Sequence, residues 1–99
     1  MVKTLTLKEL KSIIKEEASN VGIKDYSRNI INTSLILIAD TYGEDEANDV
    51  ISEFNLDENE DWVDFFNKPE IKEIRKMYKD KPEFHVQVLK DFRKMNKTG

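Results

Sequence analysis

Apolar residues recur every three or four positions along most of the chain, and this spacing constrains the fold more than any other feature. On an α-helix, such spacing places the apolar side chains on one face. Glycine and proline divide the pattern into segments, because Gly22 and Gly43 each follow a segment and Pro69 and Pro82 each open one. The sequence therefore predicts an all-α protein, a compact single-domain bundle of five or six short helices spanning residues 1–99.

The first helix has a recognisable start. Thr6 and Glu9 match the T-x-x-E capping box, in which the two side chains each accept a hydrogen bond from a backbone N–H at the helix start. Leu5 and Leu10 stand at the two positions of a hydrophobic staple around this cap. Gly22 is placed where a left-handed residue commonly ends a helix, so we predict that the first helix runs up to it.

The second helix is predicted over residues 26–42, with Asp25 or Ser27 as its N-cap. Residues 35–39 are apolar on every side of this segment, and alone they would fit a buried strand equally well. The apolar pattern extends back to residues 30–31 without a turn residue, which favours a helix. We expect this helix to be the buried centre of the bundle.

The remaining segments are shorter. Ala47, Val50, Ile51 and Phe54 form a third helical stripe, and a second capping-box pattern at residues 57–60 predicts a short helix that presents Trp62, Phe65 and Phe66. Two further helices follow Pro69 and Pro82, and we expect residues 95–99 to fray. One alternative stays open, because Phe84, Val86 and Val88 alternate as in a strand, and in that case they would pair with Val2, Leu5 and Leu7 in a small two-stranded patch.

The sequence contains no recognisable catalytic or cofactor-binding constellation. It has no cysteine, one histidine (His85) and no glycine-rich phosphate loop. Asp57, Asn59 and Asp61 occupy the first ligand positions of an EF-hand loop, but Lys68 stands where the bidentate glutamate belongs and opposes calcium binding. We therefore predict a protein that is not an enzyme and has no cofactor and no metal site. A hydrolase that uses carboxylates and a divalent metal is the weakest alternative.

Charge is strongly segregated along the chain. Residues 40–67 carry eleven acidic side chains and no basic one, whereas residues 68–99 carry ten basic and five acidic ones. Such asymmetry indicates what a protein binds rather than how it folds. We predict a cytoplasmic, non-catalytic protein-binding module, a small regulator or phage-type inhibitor, whose acidic surface binds a larger protein with a basic surface. The residues predicted to bind the partner are Glu44, Glu46, Glu58, Asp61 and Trp62.

Two alternatives to this surface remain. Trp62, Phe65 and Phe66 share one helical face, so they would fill the core if the surrounding acids alone faced water. The basic C-terminal third could instead contact phosphates in a small nucleic-acid-associated regulator, although no known nucleic-acid-binding motif is present.

No segment reaches the roughly 20 apolar residues that span a membrane, so no membrane contact is predicted.

Overall fold

The structure is a computed structural model that describes residues 5–77, 79 and 81–98. Over these residues it confirms the predicted all-α bundle, in which the helices share one hydrophobic core. The elements in chain order are α1 (Leu7–Ala18), α2 (Ser27–Tyr42), α3 (Glu44–Glu53), three 3-10 turns (Leu56–Glu58, Glu60–Trp62 and Phe65–Asn67), α4 (Pro69–Met77) and α5 (Pro82–Thr98).

The start of α1 forms at Thr6 as predicted, but only the Thr6 half of the capping box is present, because the Glu9 carboxylate accepts from the Thr6 hydroxyl and from no backbone N–H of the described residues. The Thr6 hydroxyl oxygen accepts a hydrogen bond from the backbone N–H of Glu9 at 3.1 Å, and the same hydroxyl donates to the Glu9 carboxylate at 3.2 Å. The end of α1 differs, because the helix stops at Ala18 and Gly22 lies in the following turn with φ 85°. Ser19 and Asn20 end the helix earlier. Both side chains donate to the backbone carbonyl of Glu16, so this carbonyl has hydrogen-bond donors without a further helical turn.

Helix α2 is the buried centre of the bundle, as predicted. Its apolar middle is inaccessible on every side, with Leu35 and Ile38 completely buried. Neither predicted N-cap forms. Tyr26 takes the N-cap position without a side-chain hydrogen bond, and the Ser27 hydroxyl instead donates to the carboxylate of Glu17 on α1 at 3.1 Å.

The short helix predicted around residues 57–66 is wrong. Three separate 3-10 turns replace it, because Asn59 has an extended backbone between the first two turns and Asp64, with φ 49°, is left-handed before the third. The expected capping box does not form either. Asn59 caps the second turn, where its side-chain oxygen accepts from the N–H of Asp61 at 2.9 Å.

The C-terminal segment is more regular than the sequence suggested. Phe84, Val86 and Val88 belong to α5 and Leu7 belongs to α1, so the two-stranded alternative is wrong for these residues; Leu5 is in no strand, and Val2 lies outside the described residues. Helix α5 continues to Thr98, past the residue from which fraying is predicted. A buried hydrogen-bonding side chain, Asn96, joins this part of the helix to the rest of the bundle.

Candidate functional site

Three aromatic residues of the acidic segment (residues 40–67) lie in the core. Trp62, Phe65 and Phe66 are 3%, 2% and 6% exposed, so Trp62, one of the predicted partner-binding residues, offers almost no surface to a partner. The indole N–H of Trp62 donates to the side-chain oxygen of Asn32 on α2 at 2.8 Å. The 3-10 turns turn these rings inwards and leave the neighbouring acids on the outside.

Basic residues from other parts of the chain neutralise part of the acidic segment. Arg75 on α4 donates from Nε to Asp40 at 3.0 Å, and its Nη1 lies 3.1 Å from a carboxylate oxygen of Glu44. Burial lowers the pKa of Arg75, but these hydrogen bonds outweigh it and raise the pKa above its ordinary value. The guanidinium carbon of Arg75 also lies 5.4 Å from the ring centre of Phe66, so this residue joins α4 to α2, α3 and the last 3-10 turn.

Two further ion pairs involve carboxylates of the acidic segment. Arg28 Nη1 lies 2.6 Å from Asp61 Oδ2, and Lys11 Nζ lies 2.8 Å from Glu53 Oε1. A hydrogen bond to Glu53 raises the pKa of Lys11. Of the predicted partner-binding acids, Glu44 and Asp61 are therefore already paired within the chain, which makes them poor contacts for another protein.

The other predicted acids remain available. Glu58 is exposed and Glu46 is half-buried, and neither has an ion pair within 5–77, 79 and 81–98. Exposed neighbours without an ion pair in the same described part of the chain are Asp45, Asp49, Asp57, Glu60 and Asp64. The acidic surface of residues 40–67 thus includes Glu46 and Glu58 from the predicted set, together with five carboxylates outside it.

A concave feature lies within this surface. A depression of about 260 Å³ separates α3 from the 3-10 turns, and three carboxylates line it: those of Glu44, Asp57 and Asp64. Asn48, Ser52 and Asn67 add amide and hydroxyl groups to its wall, and no basic residue occurs among the described lining residues. We call this feature the acidic depression.

Sequence reasoning missed Asp57 and Asp64 because it assigned Asp57 to a helix cap and did not recognise Asp64 as a left-handed turn residue.

The acidic depression does not have the geometry of a metal centre. In the part of the chain that the structure describes, no group of three histidine, cysteine, aspartate or glutamate side chains is close enough together to hold a metal ion. Its carboxylates, amides and hydroxyl can accept hydrogen bonds from a cationic side chain, which is the chemistry that the arrangement supports.

His85, the single histidine, lies on α5 and is 4% exposed. Burial lowers its pKa, and the negative charge of Asp40 opposes this in part. Because the folded protein resists protonating His85 while the unfolded chain does not, the free energy of unfolding decreases as the pH falls through the ordinary histidine pKa of about 6.5. This residue therefore makes the fold sensitive to mild acid.

We expect the His85→Leu variant to lose most of this pH dependence. Urea unfolding of the parent protein between pH 7.5 and 5.5 should show a free energy of unfolding that falls by at most about 1.4 kcal/mol per pH unit, the limit for one proton. The variant should give a nearly flat profile over the same window. A parent protein equally stable at both pH values would contradict this assignment.

Comparison with known proteins identifies no relative, since no family model, no curated protein and no solved structure matches the chain. No helix within the described residues combines the length and apolar character needed to cross a membrane.

Proposed function

We propose that this protein is a non-catalytic protein-binding module of the cytoplasm, a small regulator or phage-type inhibitor that binds a larger protein through its acidic surface. The observation that supports this function is the acidic depression, a concave site with carboxylates of Glu44, Asp57 and Asp64 in its wall and no basic residue among its described lining residues. A lysine or arginine side chain of the partner fits this chemistry.

The energetic argument rests on the carboxylates that remain without an ion pair among the described residues. Asp57 and Asp64 have none, so a cationic side chain in the depression would gain attraction without first breaking an internal pair. Asp45, Asp49 and Glu58 extend the negative field around the site and would accelerate the encounter with a basic partner. Glu44 would contribute less, because Arg75 already lies beside it.

The proposed function predicts the effect of neutralising the depression. Asp57→Asn with Asp64→Asn removes two charges while preserving side-chain shape, and asparagine tolerates the left-handed backbone of residue 64. Affinity for the physiological partner should fall by at least about tenfold, and the salt dependence of association should flatten. Quantitative mass spectrometry of proteins retained from the source cell by the parent and by the variant identifies the partner, and titration of that partner measures the change.

A matched control separates the site from net charge. Glu16→Gln with Glu73→Gln removes two exposed charges elsewhere, on α1 and α4, where neither residue has an ion pair within the described residues. This variant should keep the partner. Equal loss in both variants would show that net charge alone is recognised, and full retention in both would contradict the proposed function.

The nucleic-acid alternative receives less support. Lys76 and Lys79 line a second depression with Arg75, but Asp40 lies in the same wall. Arg75 is paired with Asp40 and Glu44, so its charge is largely compensated. A carboxylate and a neutralised guanidinium make this site a weak one for phosphate.

A further inference from the structure

A third concave feature lies between α4 and α5. Helix α2 forms the floor of a groove of about 380 Å³ between α4 and α5. The floor includes Thr33 and Ile36, and the walls include Ile71 and Ile74 on α4 and Val88 and Phe92 on α5. Its volume is at the lower end of the range for ligand-binding pockets, and its walls are mainly apolar, as in such pockets. We call it the α4–α5 groove.

Large apolar side chains extend the α4–α5 groove beyond its walls. Met77 is 60% exposed and lies three residues after Ile74, so the two share a face of α4. Phe84, 42% exposed, lines the groove four residues before Val88 on α5. A small molecule inside the groove would leave Met77 in water, whereas a protein segment lying along it would cover both side chains. Methionine and phenylalanine are enriched at protein interfaces for this reason.

The floor offers a polar group within the apolar walls. Thr33 is 8% exposed, and its hydroxyl forms no hydrogen bond with any described residue. A hydroxyl in a helix commonly bonds the carbonyl four residues earlier, as the neighbouring Ser34 does at 2.7 Å. The hydroxyl oxygen is open to solvent in the groove, so a ligand with a polar atom at the floor can take the place of water as its hydrogen-bonding partner. Tyrosine and tryptophan combine an apolar ring with such an atom.

The charged residues beside the α4–α5 groove indicate which residues should flank the apolar part of a ligand. Glu70 is exposed four residues before Ile74, and Asp91 is exposed three residues after Val88, so both lie next to groove-lining positions. Neither has an ion pair among residues 5–77, 79 and 81–98. Basic residues on either side of an apolar stripe would complement them across both walls.

We propose that the α4–α5 groove binds an amphipathic helix of a partner protein, with a tyrosine or tryptophan anchor at Thr33 and lysine or arginine residues flanking its apolar stripe. This recognition mode, a helix in a groove, uses anchors at i, i+3 or i+4, and i+7. The site is separate from the acidic depression and shares with the proposed function only the expectation that the ligand is a protein.

The experiment selects binders from a displayed library of random helical peptides, with the full-length protein as the target. We expect the selected peptides to carry a tyrosine or tryptophan in an apolar stripe with basic flanks. Val88→Trp fills the groove and should weaken the selected peptides at least tenfold. Asp57→Asn with Asp64→Asn should leave their affinity unchanged, so failure of this proposal and failure of the proposed function give different results.

A second variant tests the anchor without disturbing the fold. Thr33→Val keeps the side-chain shape and removes only the hydroxyl. Replacing the anchor tyrosine of a selected peptide by phenylalanine should weaken binding to the parent about threefold to tenfold, and should have no effect on binding to Thr33→Val. A melting temperature of Thr33→Val at or above that of the parent would show that the hydroxyl has no structural partner.

The remaining outcomes overturn the proposal. Selection without saturable binders, or binders insensitive to Val88→Trp, would exclude the α4–α5 groove as their site. Binders lost only in the Asp57→Asn and Asp64→Asn variant would assign them to the acidic depression instead. A dimer in sedimentation analysis that Val88→Trp dissociates would show that a second copy of the chain occupies the groove.

Discussion

Leu37→Asp is expected to unfold the protein. Leu37 is 3% exposed in the middle of α2, where its neighbours are the apolar side chains of the core. A carboxylate there must either ionise without a partner or remain protonated without enough hydrogen bonds, which costs more than about 4 kcal/mol in either form. A domain of this size is stable by only about 5–10 kcal/mol, so this single change removes much or all of it.

Far-UV circular dichroism and thermal melting check this result. Thr41→Asp is the matched control, because Thr41 lies on the same helix but is exposed. Its cost should stay within about 1 kcal/mol, which is the unfavourable interaction of an acid with the C-terminal end of a helix. If Leu37→Asp melts within a few degrees of the parent, α2 is not the centre of the core.

Asn96→Ala should cause the second-largest loss, although the sequence suggests that this residue frays. Its side-chain nitrogen donates to Glu17 Oε1 at 3.1 Å and to the Ser27 hydroxyl at 3.5 Å, and its oxygen accepts from the backbone N–H of Tyr26 at 3.0 Å. Glu17, Ser27 and Asn96 are all buried. Removing the amide leaves a carboxylate and an N–H under-satisfied, at a cost of about 2–4 kcal/mol.

The loss corresponds to a fall in melting temperature of about 10–20 °C for a domain of this length. Asn48→Ala provides the control, since Asn48 is exposed on α3 and forms no side-chain hydrogen bond with the described residues. Its stability should change little. Equal melting temperatures for the two variants would show that the end of α5 is frayed in solution and that the hydrogen bonds of Asn96 do not contribute.

The helices that the sequence predicted correctly have local causes. Thr6 and Glu9 cap α1 through atoms three residues apart, and Pro69 opens α4 because the first helical turn does not need its missing N–H. The all-α class follows from the spacing of apolar residues, and the central position of α2 follows from their density. Both are properties of the local sequence and do not depend on contacts with distant residues. The absence of cysteine and of glycine-rich motifs likewise excluded several chemistries directly.

The segment around the 3-10 turns shows where local reasoning stops. Trp62, Phe65 and Phe66 have helical spacing, yet the chain reaches the same burial through three turns, with the left-handed residues Asn55 before the first turn and Asp64 before the third. Asparagine and aspartate are the residues most tolerant of that conformation, so a weak signal existed. Whether a turn or a helix forms there depended on packing against α2, including the hydrogen bond from Trp62 to Asn32.

The sequence by itself determined the helical class, the buried central helix and the acidic character of residues 40–67, because periodicity, composition and charge are properties of the chain. Only the tertiary structure decided which acids remain unpaired, since Arg28 and Arg75 reach their carboxylates from other helices. It also placed Trp62 in the core and opened the α4–α5 groove. These outcomes depend on contacts between residues distant in sequence, and no local pattern specifies which distant side chain will fill a given space.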